Sequence, residues 1–197
     1  MHNFTEIKKN ISDSDMSRIK IWNYTFGDID VRFWWYPNIF LQIWSYCSIW
    51  PEVQFICWMD HSTKQISTYI FWVNFLYARK NGNKWREMWR LENVNKWPII
   101  VEDDVRIWTW AKIMSWVRIW QWAVIAAWAV VTKDIPPYAI AWWVPAKVIK
   151  YRFSEDKIKK LLHINYSDIP LEKFLYMYPE IIKEDFDIDY ILKTLKE

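Results

Sequence analysis

The fold is decided by residues 101–135, which read VEDDVRIWTWAKIMSWVRIWQWAVIAAWAVVTKDI. Large apolar residues recur there at every sixth position, at Val101, Ile107, Ile113, Ile119, Ile125 and Val131. A second series of small or branched residues follows four places behind each of them, at Val105, Ala111, Val117, Ala123, Ala129 and Ile135. Amphipathic helices need spacings of three and four, and half-buried strands need a spacing of two. A six-residue repeat is instead typical of a parallel β-helix, in which each hexad forms one side of a coil.

The same period occurs upstream. Its large residues are Ile43, Ile49 and Phe55, and its second series is Cys47, Val53 and Met59. Stacked hexads pair backbone to backbone, so that neighbouring coils bury each other's apolar residues. A coincidental apolar rhythm is the alternative in a chain that is 53% hydrophobic, but six consecutive matches in both series argue against it.

The tryptophans contradict this fold. The chain has 18 Trp and 2 Gly, whereas average usage would give about fourteen Gly. Within the repeats Trp falls one or three places after the large apolar residue, at Trp44, Trp50, Trp58, Trp108, Trp110, Trp116, Trp120, Trp122 and Trp128. We predict that these are corner positions, where a tight coil favours Gly. A bulky residue held at positive φ costs about 1–3 kcal/mol.

With Gly in place of Trp, residues 97–152 resemble the C-terminal repeats of the hexapeptide-repeat acyltransferases, specifically the xenobiotic acetyltransferases of chloramphenicol and streptogramin type. Residues 43–71, IWSYCSIWPEVQFICWMDHSTKQISTYIF, resemble the first coils and active-site loop of that family, and residues 152–174, RFSEDKIKKLLHINYSDIPLEKF, resemble its C-terminal helix. The resemblance covers residues 18–180. It implies an all-β fold, a left-handed parallel β-helix of hexapeptide repeats with an inserted loop and a C-terminal α-helical tail.

The departures from that family have a pattern of their own. Where the family usually carries Trp, this chain has Gln65, Arg106, Tyr166, Ser167 and Ile169. Trp is thus missing from the family's Trp sites and present at its Gly sites. We predict a lineage in which UGA encodes Gly, read here as Trp. The coding DNA tests this prediction, because 18 codons that are mostly UGG would refute it and favour a deliberately substituted sequence.

The chain divides into three predicted parts, the second of which contains an insertion. Residues 1–18 form a polar N-terminal segment, helical or loose, and residues 19–153 form the β-helix domain. Residues 60–98 lack the repeat and make a long loop insertion, and such loops in compact domains are usually functional. Pro136, Pro137 and Pro145 are expected to end the solenoid because proline withholds backbone donors. Residues 154–197 show the apolar spacing of helices.

Bulk properties narrow the function classes. The net charge of +3 is mild and its signs are interleaved, which predicts no nucleic-acid partner. Two cysteines in no paired motif indicate neither a disulfide framework nor a zinc site. The apolar run 107–131 contains Lys112 and Arg118, which argue against a membrane span, and the N-terminus does not read as a signal peptide. We therefore expect a cytoplasmic protein with no membrane partner and no metal.

His61 is the candidate catalytic residue. It stands at the start of the insertion in MDHSTKQISTYIF, at a position that matches the family's catalytic His. Its implied role is general base, because imidazole titrates near neutrality and can take the proton of an attacking hydroxyl. A lone His is more often structural, and that reading stays open for His61 as for His2 and His163.

The resemblance also implies acetyl-CoA as co-substrate, a homotrimer with its sites between subunits, and a small-molecule hydroxyl acceptor. The positions that match the family's CoA contacts are Thr109, Ala127, Thr132, Lys133, Lys147 and Lys150. A solvated face explains each lysine equally well. Acetylation of a sugar or polysaccharide is an alternative activity, and a non-catalytic trimeric scaffold is an alternative from another class.

Overall fold

Each hexad forms one very short strand. Its large apolar residue points inward, and the residues beside it point outward. The computed structural model describes residues 5–7, 17–33, 40–57, 60–61, 64, 66, 93–94, 98–164, 166 and 169–196. The strands are β1 Thr5–Ile7, β2 Ile19–Ile21, β3 Phe26–Phe33, β4 Leu41–Ile43, β5 Ser48–Ile49, β6 Gln54–Cys57, β7 Asp60–His61, β8 Asn93–Val94, β9 Ile99–Val101, β10 Arg106–Ile107, β11 Lys112–Met114, β12 Arg118–Ile119, β13 Val124–Ile125, β14 Val130–Val131, β15 Ala139–Trp142 and β16 Lys147–Tyr151. The helices are α1 Glu155–Leu161, α2 Leu171–Ile181 and α3 Ile188–Lys196.

The coil has three faces of parallel strands. The first face stacks β2, β4, β9 and β12. The second face stacks the start of β3 on β5, β10, β13 and β15. The third face stacks the end of β3 on β6, β11 and β14. Because β3 passes from the second face to the third without a break, these two faces share one hydrogen-bonded sheet.

The two apolar series form the core. All six large residues from Val101 to Val131 have no exposed surface, and the small residues from Val105 to Ala129 have none either. Upstream, Ile43, Phe55, Cys47 and Val53 are equally buried, while Met59 lies outside the described residues. The prediction of a parallel β-helix with C-terminal helices is confirmed.

Ile135 departs from the predicted ladder. It forms a parallel bridge with Ile119, so it occupies a large-residue position on the first face instead of the small position four places after Val131. The coil here is two residues shorter, since Ile125 pairs with Ile107 below but with Ala141 above. The Asp134 carboxylate compensates by accepting the Arg118 N–H at 2.8 Å.

Both ends of the solenoid also differ from expectation. The prolines do not end it at once, because β15 still pairs in parallel with β13, and only the antiparallel strand β16 closes the stack. At the other end β1 lies within the segment predicted to be helical or loose, and it pairs in parallel with β3. Gly27 in β3 has φ +133°, and a Cβ there would stand 1.7 Å from the Ile49 carbonyl oxygen. Glycine is therefore required at that position.

Left-handed residues mark the corners. At nine described corners the residue three places after the large apolar residue has a φ between 51° and 64°, but Asp134, three places after Val131, does not have positive φ. The first corner, between the first and second faces, contains Tyr24, Tyr46, Asp104, Trp122 and Tyr138. The second corner, between the second and third faces, contains Glu52, Trp110 and Trp128, and the third contains Trp116.

The predicted corners are therefore confirmed three places after the large apolar residue, but they are wrong one place after it. Residues one place after the large apolar residue, Trp44, Trp50, Trp108 and Trp120, do not have positive φ. Their backbone still continues the strand, and the chain turns only two residues later. Trp58 lies outside the described residues.

Trp122 does not point outward. A tryptophan at a tight corner, like Trp110 and Trp128, is expected to point into solvent or into a groove between subunits. Trp110 and Trp128 are 46% and 65% exposed, but Trp122 is 3% exposed. It packs with Tyr138 and Leu161 in a second apolar cluster, because the C-terminal segment covers the first corner.

Among the residues that the structure describes, none of the helices has the length and apolar character of a membrane-spanning segment.

We expect Trp116→Gly to raise the free energy of unfolding by about 1 kcal/mol, because Trp116 has φ 63° and a left-handed residue with a side chain costs about 1–2 kcal/mol. Trp142→Gly is the matched control. Trp142 is similarly exposed but lies in β15 without positive φ, and glycine in a strand costs about 0.5–1 kcal/mol. Urea denaturation measures both. Equal effects of the two substitutions would contradict the strain at the third corner.

Candidate active site

The chain leaves the coil at the end of the third face, and His61 lies on this departure. Strand β7, with His61, pairs antiparallel with β8, which places Asp60 opposite Val94 and His61 opposite Asn93. The chain re-enters the stack at Ile99, which pairs with Leu41. The side chain of His61 lies outside the described residues, and its predicted role stays a prediction.

Thr109 and Ala127 are brought together at the second corner. Because Ile107 pairs with Ile125, the two residues occupy the same position on adjacent coils. The Trp128 N–H donates to the Thr109 carbonyl oxygen at 3.2 Å, and the Thr109 hydroxyl donates to the Pro51 carbonyl oxygen at 2.6 Å. Thr109 thus ties three consecutive coils together. Both Thr109 and Ala127 are half-buried, and their small side chains leave the backbone of this corner accessible.

Lys147 and Lys150 lie on the closing hairpin. Lys147 is opposite Trp142 and Lys150 is opposite Ile140. Ile140 and Trp142 alternate with the buried Ala139 and Ala141, which places them on the outer surface. Both lysines are exposed. The Ala146 N–H donates to the Val130 carbonyl oxygen at 2.8 Å, so the hairpin turn lies over the start of the third face, two residues past the second corner.

Thr132 and Lys133 lie elsewhere. They follow β14 at the end of the third face, beyond the second corner, with Thr132 half-buried and Lys133 exposed. The structure therefore brings Thr109 and Ala127 together at the second corner, whereas Lys147 and Lys150 lie on the strand that closes the second face. It does not bring Thr132 and Lys133 into that corner.

Two indoles stand beside this group. Trp110 and Trp128 directly follow Thr109 and Ala127, and their rings stack with centroids 5.1 Å apart and an interplanar angle of 8°. They project from the second corner, where glycine would leave the edge of the coil open.

The two cysteines are not placed to act as nucleophiles. Cys47 and Cys57 are buried thiols, and burial raises the pKa of each. The Cys47 thiol donates to the Glu102 carbonyl oxygen at 3.0 Å. A buried thiol of high pKa is a poor nucleophile. Within the described ranges, no group of three His, Cys, Asp or Glu side chains is placed to hold a metal ion.

Sequence reasoning missed a polar cluster at the first corner. Asp104 occupies the same left-handed position as Trp122 one coil above, and Tyr166 and Arg152 approach it from the C-terminal segment. Burial raises the pKa of Asp104 to about 6, opposed by Arg152, Arg106 and the Tyr166 hydroxyl. The available signal was an acidic residue in a column otherwise occupied by aromatic residues, together with a Tyr at a family Trp site.

The chain was compared with known proteins by sequence and by structure. No family profile matches the chain. A chloramphenicol acetyltransferase of Morganella morganii is 40% identical over 79 residues, which are 40% of this chain and 38% of the relative. One from Escherichia coli is 41% identical over 80 residues, which are 41% of this chain and 38% of the relative. The match thus spans about two fifths of the length of these curated relatives.

Among solved structures, a maltose O-acetyltransferase from Clostridium difficile matches with a TM-score of 0.50 at 22% identity, over 76% of this chain and 70% of that chain. This likeness concerns the fold. The predicted resemblance to hexapeptide-repeat acetyltransferases is confirmed by the two kinds of similarity together.

Proposed function

We propose that the chain is an acetyl-CoA-dependent O-acetyltransferase that acts on a hydroxylated, antibiotic-like small molecule. The observation that carries this proposal is the sequence match to chloramphenicol acetyltransferases. The β-helix supports it, because its second corner aligns Thr109 and Ala127 on adjacent coils. Neighbouring Lys147 and Lys150 supply positive charge on the closing hairpin.

The proposed reaction is a direct transfer in a ternary complex. The acceptor hydroxyl gives its proton to the His61 imidazole while its oxygen attacks the thioester carbonyl carbon. The C–S bond then breaks, the acetyl group stays on the acceptor oxygen, and the CoA thiolate leaves and takes the proton back from the His61 imidazolium. A covalent acetyl-cysteine is disfavoured for Cys47 and Cys57, since both thiols are buried and have raised pKa values.

The acetyl-CoA site is proposed at the second corner. Thr109 and Ala127 would line the pantetheine arm, and Lys147 and Lys150 would approach the phosphates. Thr132 and Lys133 lie at the far end of β14, so they would contribute only through a different part of the ligand. In the proposed homotrimer, His61 of one subunit would face the coils of its neighbour.

We expect His61→Ala to lower kcat for chloramphenicol acetylation about 10²–10⁴-fold, which is typical for loss of a general base. The release of CoA thiol measures the rate. It is followed both in the unaltered chain and in a variant in which Trp110, Trp116, Trp122 and Trp128 are replaced by Gly. His163→Ala is the control, because His163 is exposed just beyond α1 and should leave the rate unchanged. Full activity in His61→Ala would remove the proposed mechanism.

The same assay separates the alternatives. Turnover of sugars without turnover of chloramphenicol or a streptogramin would move the acceptor to the carbohydrate class. Calorimetry that detects no binding at millimolar CoA would favour a non-catalytic scaffold.

We expect Lys147→Gln and Lys150→Gln each to raise the KM for acetyl-CoA, by up to about tenfold, with little change in kcat. Hydrogen bonds to charged groups contribute about 1.5–3 kcal/mol, and exposure to solvent reduces that value. Lys112→Gln is the control, because Lys112 is equally exposed but lies in β11 on the third face. Rising salt should weaken binding in the unaltered chain and less so in the two variants. An unchanged KM in both would place the phosphates elsewhere.

A further inference from the structure

The first corner carries a column of stacked aromatic residues with one interruption. Tyr24 stacks on Tyr46 with ring centroids 5.0 Å apart, and Trp122 stacks on Tyr138 with centroids 4.7 Å apart. Between these two pairs, on the coil of β9 and β10, the corner residue is Asp104. The column therefore has a gap one coil deep, with a carboxyl group at its base.

Tyr166 of the C-terminal segment fills this gap. Its ring makes edge contacts with Tyr46 below and Trp122 above, at centroid distances of 5.7 Å and 5.3 Å. Its hydroxyl group hydrogen-bonds the Asp104 carboxyl. Phe174 of α2 extends the contact by stacking on Tyr46 at 5.3 Å. The C-terminal segment thus contacts the coil here through the Tyr166 ring over Asp104, in addition to the apolar cluster of Trp122, Tyr138 and Leu161.

We propose that Asp104 and Tyr166 form a pH-sensitive latch, which holds the C-terminal helices on the β-helix more tightly when the Asp104 carboxyl is protonated than when it is ionised. The Tyr166 hydroxyl donates to both forms, and this hydrogen bond by itself favours the ionised one, but the effect of burial on the Asp104 carboxyl is larger. The ionised form must in addition keep a charge under an aromatic cover, which costs free energy unless cations compensate it.

The charged and titratable groups around Asp104 determine the balance. Arg106 on β10 and Arg152 after β16 attract the carboxylate, whereas the adjacent Asp103 repels it. Tyr138 and Cys47 also face this charge. Arg152 is already engaged, because it donates to the Trp122 carbonyl oxygen at 3.0 Å and lies over the Tyr138 ring. The two arginines do not fully offset burial, so the carboxyl titrates at about 6 when the helices are docked.

The direction of the pH dependence follows from this comparison. A carboxyl whose pKa is higher in the docked state than its ordinary value of 3.8 binds its proton more tightly when docked. The contribution of the latch is therefore complete below about pH 4 and is lost as the pH rises through about 6. The linkage relation gives a roughly tenfold fall in the docking equilibrium between pH 5 and pH 7.

Hydrogen exchange in the full chain tests the latch. Protection of the amides of α1, α2 and α3, corrected for intrinsic exchange rates, should fall about tenfold between pH 5 and pH 7. Asp104→Asn keeps an acceptor oxygen, tolerates the left-handed φ of 51° and cannot ionise. Its protection should stay near the pH 5 value throughout. Tyr166→Phe keeps the ring and loses the hydroxyl group, so protection should fall at both pH values.

Asp185→Asn and Tyr176→Phe are the controls, because both residues are exposed on the C-terminal helical segment and should leave the pH dependence unchanged. A flat profile in the unaltered chain would overturn the proposal, and so would an unchanged pH dependence in Asp104→Asn. If Asp104→Asn does not fold, the Asp104 carboxyl titration, followed by NMR in the unaltered chain, decides. A midpoint near 3.8 would overturn the latch, and a midpoint near 6 that is shared by the helix amides would support it.

Discussion

The backbone ladder between adjacent coils is the constraint on which the rest of this structure depends. Ile107 pairs in parallel with Ile49 below and Ile125 above, and the other faces repeat the arrangement. A coil can pair with its neighbours only if each of its sides is short and turns at the same place. One left-handed residue at the corner meets that need. Inward positions are then filled by one large and one small apolar residue per hexad.

The ladder explains why so much of the fold could be predicted. A period of six depends only on the local sequence, so Val101 to Val131 give the inward positions without any knowledge of tertiary contacts. What failed were features that depend on the neighbouring coil. Ile135 shifts because its coil is two residues shorter than the coil below, and the Asp134 carboxylate then accepts the Arg118 N–H. Trp108 and Trp110 are both tryptophans of the same hexad, yet only Trp110 has positive φ. The sequence alone does not show at which of these two positions the chain turns.

The candidate site divides in the same way. Thr109 and Ala127 lie one coil apart, so their alignment at the second corner follows from the period. Lys147 and Lys150 lie beside the second face only because β16 reverses the chain and pairs with β15, a reversal that the prolines alone do not specify. Asp104 and Tyr166 are distant in sequence, and nothing local indicates their contact. The position of the His61 side chain depends on the insertion, which has no repeat to place it.

The corners also differ in what a bulky residue does to them. At the first corner the C-terminal segment provides a cover, so the Trp122 indole is absorbed between Tyr138 and Tyr166. At the second corner no described element covers Trp110 and Trp128, and both indoles remain exposed. The same left-handed backbone therefore carries a buried aromatic residue in one column and an exposed aromatic stack in the other. Glycine at the second corner would uncover the backbone beside Thr109 and Ala127, whereas glycine at Trp122 would leave a gap beneath the tail. The side chain at the first corner thus contacts the chain's own C-terminal helical segment. The side chains at the second corner are exposed to solvent.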